Sequence, residues 1–570
     1  MGTLFSAFDI GRAGLGVAQV QLDVTGHNIA NVNKEGFSRQ RVEVLTRIPN
    51  MMSYGALGRG PGVATVARLR DTFLDVVYRN QVPGLGRSEV EAQYFQQVED
   101  VFLEPSTSGF SNQLNVFFSA MSDFSNNVEE VAVRESALSE ADALAANLRD
   151  VSSRLQALRT NANEEVRNQV DEINSLGRQI ADCNKAIFNA ELSGHPANDL
   201  RDDRDNLLDS LSKLVKITYR EQDSGSTDVL IGGNEFVTGQ TVRDLVATPN
   251  PALDPKRPDL VEVRFKDTAA PVRITDGTLF GVLDFRDNKI SAVQGRLDAM
   301  AHQIIAAFNG IQSQGNGLDN FRTAMTSTNA VTDPTAGLNS VGLPFTVNDG
   351  KFDILLYDNA GNLAETVTVP VSVTGIPPTS LNDIAASING STNMTAAVDV
   401  NGLLTVTPAA GFSYVFSGDT AKVLPALGMN SLFLGSSAQD ITVNSTVRSD
   451  PRLLSSGYSQ DSLETGDNSA ALDMAAVRAG KILENSSQTV SEYYEATITK
   501  LGIDARVNTQ LMQVETSFVN DFETRRQQTS GVNLDEEVTS LLQFQRAYEA
   551  SARIITVTDS MLQTIINMAQ

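Results

Sequence analysis

The chain holds a single cysteine among its 570 residues, Cys183, in the polar-flanked setting Ile-Ala-Asp-Cys-Asn-Lys. One thiol excludes an internal disulfide and a cysteine-built zinc site, and it leaves the compartment open. No apolar run reaches the roughly 18 residues a helix needs to cross a bilayer, so no membrane insertion is expected. Met1 to Ile10 contain no basic residue, and Ser6 and Asp9 interrupt the apolar stretch; a cleavable secretory signal is not expected there. Positive charge is short as well, with 44 Lys and Arg against 69 Asp and Glu, a net charge of −25. Nucleic acid and anionic membrane surfaces require clustered cations, so neither is an expected partner. The three histidines, His27, His195 and His302, lie far apart, and none has a second ligand at the i+4 spacing of helical metal sites. No nucleophile elbow, phosphate-cradling Walker loop or dinucleotide fingerprint between strand and helix is present. Paired carboxylates are too common in so acidic a chain to mark an active site. The expectation is a protein that is not an enzyme, has no cofactor and no metal, and is built for assembly.

What is present begins with the two ends. Stepping alternately four and three from Leu534 gives Leu534, Val538, Leu541, Gln545, Tyr548, Ala552, Ile555, Asp559, Leu562, Ile566 and Ala569. A stripe recurring every 3.5 residues is a coiled-coil seam, on a helix about 54 Å long at 1.5 Å per residue. Asn533 is placed as its N-cap, Glu536 follows three residues on, and Asp535 to Glu537 set negative charge against the N-terminal dipole. The start of the chain repeats the pattern with Leu4, Phe8, Gly11, Leu15, Ala18, Leu22, Thr25, Ile29 and Val32. Two unpartnered heptad helices pair most economically with each other or with copies of themselves, although each could instead pack on its own domain. Gly11, Thr25, Gln545 and Asp559 interrupt the stripes, and such helices are marginal alone. Gln545 and Asp559 read as surfaces kept for neighbouring subunits, so leucine at both is expected to stabilise the monomer.

Between the ends, the length suggests about four domains. Ser38 to Leu45 alternates like an exposed strand, and Gly55 to Gly62, rich in glycine, reads as a flexible or extended connector. Leu85 to Leu214 is helical in period, with one face of Val90, Tyr94, Val98, Val101 and Phe102 and another of Leu114, Phe117, Phe118, Met121 and Phe124. Pro105 and Ser106 to Gly109 break the first of these helices from the second. Asp199 to Asp205 clusters carboxylates without the glycine and glutamate of a calcium loop, and reads as a solvated helix face with short-range ion pairs. Lys216 to Phe285 carries short strands, Leu297 to Ile311 a helix, and Thr326 to Thr446 a strand-rich insertion with one short helix, Leu381 to Ile388. Helix resumes at Ala470 and runs, weakened by Gly480 and Gly502, to about Gln528. The expected class is an α+β multidomain protein with paired N- and C-terminal coiled-coil-like helices, an elongated helical domain with a small sheet, and an inserted β-rich outer domain. The expected boundaries are 1–35 with 531–570 for the terminal helices, 36–315 with 455–530 for the helical domain (its sheet about 216–285), and 316–454 for the insertion.

Leu22-Asp-Val-Thr-Gly-His-Asn-Ile-Ala-Asn31 resembles the N-terminal signature of the axial proteins of the bacterial flagellum. Gly36-Phe-Ser-Arg-Gln40 narrows the resemblance to the family of hook-associated protein 1. Leu103 to Asn112, Asp202 to Leu208, Gly277 to Asp287, and Ser530 to Glu537 with Gln543 to Tyr548 are similar to further segments of that family, in the same order. The resemblance implies a structural adaptor joining hook to filament, exported through the flagellar secretion system and extracellular on the flagellum. It implies as partners other copies in an axial ring, the hook protein, the next hook–filament junction protein and a flagellar export chaperone. The expected assembly interface comprises Leu4, Phe8, Leu15, Leu22, Asn28, Ile29 and Asn31 from the first helix. From the last helix it comprises Leu534, Val538, Leu541, Gln545, Tyr548, Ile555, Asp559, Leu562 and Ile566. A hook or distal-rod protein, or an adhesin or sugar-binding module in the β insertion, stand as alternatives.

Overall fold

The computed structural model describes residues 2–52, 55–104, 106, 109–192, 194–458 and 466–568, with backbone alone for 2–4. The seam position Ala569 lies outside the described residues, as do the side chain of Leu4 and, in the predicted break after the first mid-chain helix, Pro105, Thr107 and Ser108.

Helix α1 (Gly2–Ala30) leads into strands β1 (Gln40–Thr46), β2 (Asn50–Met52), β3 (Gly55–Leu57) and β4 (Pro61–Arg68). Next come α2 (Thr72–Phe102), α3 (Phe110–Asn126), α4 (Val131–Glu191) and α5 (Asn198–Leu214). Strands β5 (Ile217–Glu221), β6 (Thr227–Ile231), β7 (Asn234–Thr238), β8 (Thr241–Val242), β9 (Leu245–Pro249) and β10 (Val261–Phe265) precede α6 (Thr278–Asp284) and α7 (Ile290–Gln312). The insertion holds β11 (Met325–Thr326), β12 (Gly350–Tyr357), β13 (Leu363–Val371), α8 (Leu381–Ile388), β14 (Met394–Val398), β15 (Leu404–Pro408), β16 (Ser413–Ser417), α9 (Val423–Leu427), β17 (Phe433–Leu434) and β18 (Thr442–Val443). Helices α10 (Ser445–Ser449), α11 (Ser469–Ala476), α12 (Val490–Ser530) and α13 (Leu534–Met568) complete an α+β chain.

Internal contacts divide the chain into two compact units: Met1–Tyr94, Asn161–Asp287 and Arg506–Gln570 form one, and Phe95–Thr160 and Asn288–Ala505 the other.

In the first unit α1 runs antiparallel to α13, with Asn28 against Glu537 at one end and Gly11 against Ile554 and Ile555 at the other. Glycine permits this approach: a Cβ on Gly14 would sit 2.8 Å from the Ser551 hydroxyl. Strands β1 and β4 pair antiparallel and β2 pairs with β3, so Gly55 to Gly62, expected to be a connector, is strand in large part. The β5-β6-β7-β8 sheet is an antiparallel meander, and β9 pairs with β10. Three asparagines on α4 clip this β region through its backbone. Asn163 accepts from the Val261 amide, Asn174 from that of Leu245 and Asn184 from that of Thr227, each at 2.8–2.9 Å. Their spacings of ten or eleven residues return to one helix face every third turn, which is why all three reach strands.

In the second unit α3 buries Leu114, Phe117, Phe118, Met121 and Phe124, as its period predicts, with Phe117 tilted against Phe308 and Phe433. The insertion contains two three-stranded sheets, β13-β12-β16 and β11-β15-β14. Helix α8 begins with a capping box, Ser380 accepting from the Asp383 amide and the Asp383 carboxylate accepting from that of Ser380. Arg134 is fully buried and is held by the carbonyls of Val128 and Leu454 and the Ser456 hydroxyl.

Two helix boundaries differ from expectation. Helix α2 starts at Thr72, not near Leu85, and carries Pro83 inside it; Asp71 caps it through the Phe73 amide at 2.9 Å. Its glycines serve close contacts, since a Cβ at Gly86 would meet the Lys213 carbonyl at 2.6 Å. The helix expected from Ala470 is interrupted after Ala476 and resumes at Val490. Between them Glu484, Asn485 and Ser486 all take positive φ, a left-handed turn that cannot continue an α-helix.

Candidate assembly site

Segments far apart in sequence converge where the terminal helices join the body of the first unit. The chain leaves α1 through a turn and enters β1 at Gln40. Asn28, 2% exposed, organises that return: its amide donates to the Gln40 carbonyl at 2.9 Å and accepts from the Gln40 amide at 3.0 Å. The same side chain donates to Glu537 at 3.1 Å, which ties α1 to the first turn of α13. Asn533 caps α13 as expected, accepting from the Asp535 amide. Glu536 instead turns outward to Arg39 at 2.7 Å, and Arg39 also takes Glu537 at 2.6 Å.

Gly36 makes the turn possible. Its φ is +72°, and a Cβ there would fall 1.8 Å from the Asn206 side-chain oxygen. Two residues on, the Ser38 amide and hydroxyl donate to the two oxygens of Asp202 at 2.8 and 2.7 Å. Lys34 pairs with Asp203 and Gln40 donates to Asp199, so helix α5 receives the segment along its length.

Behind this contact lies a network of four arginines and four aspartates. Arg68 reaches Asp202 at 2.6 Å and Asp205 at 2.9 Å. Arg70 holds Asp75 in a fork, donating from Nε at 2.7 Å and from Nη2 at 3.1 Å. Arg79 bonds Asp209 and Asp205, and Arg526 from α12 bridges Asp75 at 3.0 Å and Asp209 at 2.7 Å. Asp202 is 1% exposed, so the expected solvated face at Asp199 to Asp205 is overturned. Only Asp199 and Asp203 of that stretch point to water; Asp202, Arg204 and Asp205 are buried. Buried charge persists only when matched, and here the partners come from β4, α2 and α12, more than a hundred residues away in sequence. Burial pushes the Asp205 carboxyl up, but Arg70, Arg79 and Arg68 outweigh it and hold it down at about 2. Burial and the carboxylates of Asp209 and Glu523 push the Tyr78 hydroxyl up to about 12, with Arg526 stacked 4.3 Å over its ring.

The helix pair itself is placed as follows. On α1, Gly11, Ala18 and Thr25 are buried and Phe8, Leu15, Leu22, Ile29 and Asn31 partly buried, which is the expected stripe. On α13, Leu541, Ile555 and Leu562 are partly covered, whereas Leu534, Val538, Gln545, Tyr548, Asp559 and Ile566 are exposed. The covered positions are Glu537, Ser540, Leu541, Phe544, Ser551, Ala552, Ile555, Thr558 and Leu562. The covered row therefore keeps Leu541, Ala552, Ile555 and Leu562 from the expected positions and adds Glu537, Phe544, Ser551 and Thr558, each one residue before an expected position. Gln545 and Asp559 do not face α1, because a glycine-bearing helix fits closest against small Ser551 and buried Thr558.

The residues that sequence reasoning missed were the arginines Arg39, Arg68, Arg70, Arg79 and Arg526. Their available signal was the clustering of arginines from Arg39 to Arg70 against Glu43 as the one carboxylate before Arg70, in a chain of net −25.

The convergence involves the segments that carried the resemblance: Asn28 to Gln40, Asp202 to Asn206 and Ser530 to Glu537. Comparison with known proteins agrees. The family described as flagellar hook-associated protein FlgK helical domain matches residues 95–325. The flagellar basal body rod FlgEFG protein C-terminal family matches residues 525–568. Flagellar hook-associated protein 1 of Bacillus subtilis is 27% identical, covering 100% of this chain and 99% of its own. Along its whole length the chain is similar to hook-associated protein 1. The Escherichia coli relative of the same name is 24% identical over 98% of both chains, and that of Salmonella typhimurium 25% over 98% of both. The flagellar hook junction protein FlgK from Burkholderia pseudomallei shares the fold, with a TM-score of 0.53 at 16% identity over 79% of this chain and 100% of that one. Among the described residues no helix is long and apolar enough to cross a membrane.

Proposed function

We propose that this protein is a structural adaptor of the bacterial flagellum, joining hook to filament by assembling with its own copies into an axial ring. The observation that carries this is the state of α13. After pairing with α1 it still exposes a second apolar row, including Val538, Leu542, Val557, Met561 and Ile565. A helix with two apolar faces is partnered within its chain on one and available to neighbours on the other. In this reading 1–35 and 531–570 form the inner axial domain, 36–315 with 455–530 the surrounding domain, and 316–454 the outer one. The ring contacts the hook protein on one side and the next junction protein on the other, after export with a dedicated chaperone. The chemistry is packing, with no catalytic step.

Deleting Met1 to Ala18, or Asp559 to Gln570, should abolish incorporation into flagella while the second unit keeps its fold. Incorporation of either truncated chain refutes the proposal. A cell lacking the protein should carry hooks without filaments; missing hooks would instead mark a hook or rod protein, whose C-terminal family also matches here.

A further inference from the structure

The segment between Arg39 and Arg68 carries features that the contact with α5 does not need. Strands β1 to β4 form a two-stranded ribbon over residues 40–67, lying on α1 through Gly60, where a Cβ would meet Ala13 and Ile10 at 3.2 Å. Its other side is bare. A register shift between Glu43 and Val44 breaks the alternation of the strand, so Val44 and Leu45 are both exposed, and Val44 stands opposite exposed Val63. Farther along, Ile48 is 85% and Met51 82% exposed. Apolar side chains on a ribbon with free strand edges are an unfinished surface, and a two-stranded ribbon is marginal by itself.

Its charge indicates what finishes it. Apart from Arg68 at the end of β4, which Asp202 and Asp205 hold, Arg41, Arg47 and Arg59 stand against Glu43 alone, a net charge of +2 over residues 40–67. With the whole chain at −25, everything outside the ribbon totals −27. All three arginines are exposed, and none makes an ion pair among the described residues. We infer that this ribbon is a docking surface for a second copy of the chain, its apolar row and three free arginines seating on an acidic face of the neighbour. The complementary charge is written in this same sequence, which favours a second copy over a partner of unspecified charge. A ribbon of one copy set on a different surface of the next is a heterologous contact, the kind that closes into rings. The inference rests on the adaptor reading only in requiring copies to be neighbours.

The test uses the full chain carrying Cys183→Ser and Met51→Cys, the new thiol labelled with a benzophenone, irradiated at high protein concentration and low salt. The expected product is an adduct of two copies. It should fall about tenfold when Arg41, Arg47 and Arg59 are replaced together by Glu, and similarly in about 1 M salt, where exposed charges are screened. The salt arm needs no folded variant. Absence of a two-copy adduct, or an adduct indifferent to both charge reversal and salt, overturns the inference. Incorporation of the unlabelled parent into flagella is scored separately by immunogold microscopy, so a failed adaptor reading is distinguished from a failed ribbon.

Discussion

Replacing Asp205 by Asn keeps the shape of the side chain and removes one charge from the network beneath the terminal helices. Asp205 is 8% exposed and faces Arg68 at 2.9 Å, Arg79 at 3.1 Å and Arg70 at 3.4 Å. Its carboxyl is held at about 2 against an ordinary 3.8; that drop corresponds to about 2.5 kcal/mol of preference for the charged form in the fold. The substitution also leaves four arginines with three aspartates, and uncompensated buried charge raises the cost toward about 5 kcal/mol. The assay is hydrogen exchange of α5 at neutral pH, where a loss of about 2 to 5 kcal/mol speeds exchange at least about thirtyfold. Asp199→Asn is the control: its contact with His27 is long and exposed and an asparagine oxygen can still accept from Gln40, so its effect should stay within about 0.5 kcal/mol. The pH dependence has a definite sign. Because the folded value lies below the unfolded one, this stability is present above about pH 4 and lost as pH falls toward 2, and the parent should show that loss where Asp205→Asn does not. If the two variants exchange alike at neutral pH, the matched-charge account of this site is wrong.

Four smaller perturbations probe the same logic elsewhere. Glu537→Gln weakens the joint between α1 and α13, and should cost about 1 to 3 kcal/mol, read as faster exchange in the first turns of α13 with α3 unchanged. Gly36→Ala should cost about 1 to 3 kcal/mol from its positive φ and its collision with Asn206; adding Asn206→Ala should recover the collision part alone, measured by a double-mutant cycle in urea. Ser380→Ala removes the cap of α8 and should cost about 1 kcal/mol by thermal unfolding of the second unit. Gln545→Leu with Asp559→Leu should leave exchange in α1 unchanged, since neither residue faces it; increased protection of α1 would show that the seam register described above is incorrect.

Both terminal helices were legible because heptad spacing is local and survives without knowledge of the partner. The bounds of α8 were legible for a similar reason, its cap and apolar face lying within eight residues. The charge network was not. A row of Asp and Arg on a helix looks the same whether water or arginines from three other elements cover it, and Asp202 and Asp205 find theirs at positions 68, 70 and 79. Helix α2 was cut short on paper because Pro83, Gly84 and Gly86 are local breakers; a tertiary contact at Gly86 supplies the reason a glycine belongs there. The break after Ala476 was legible only as a weak point at Gly480, since Lys481 to Gln488 contains no proline or glycine to announce the left-handed turn that ends the helix.

The error in the α13 seam is the informative one. Counting apolar residues selects the most hydrophobic row, which on α13 contains Leu534, Val538 and Ile566. The row that pairs with α1 is instead the one that fits, offering Ser551 to Gly14 and Glu537 to Asn28. A helix that saved its strongest apolar row for its own chain would form a tight, finished hairpin with nothing left to hold a neighbour. Here the intrachain contact combines Leu541, Phe544, Ile555 and Leu562 with small Ser551 and with hydrogen bonds that set register, while Val538, Leu542 and Val557 remain outward. In the proposed ring, covering this outward row would contribute about 25 cal/mol per Å² of apolar surface to the association of copies, a contribution the monomer leaves unused.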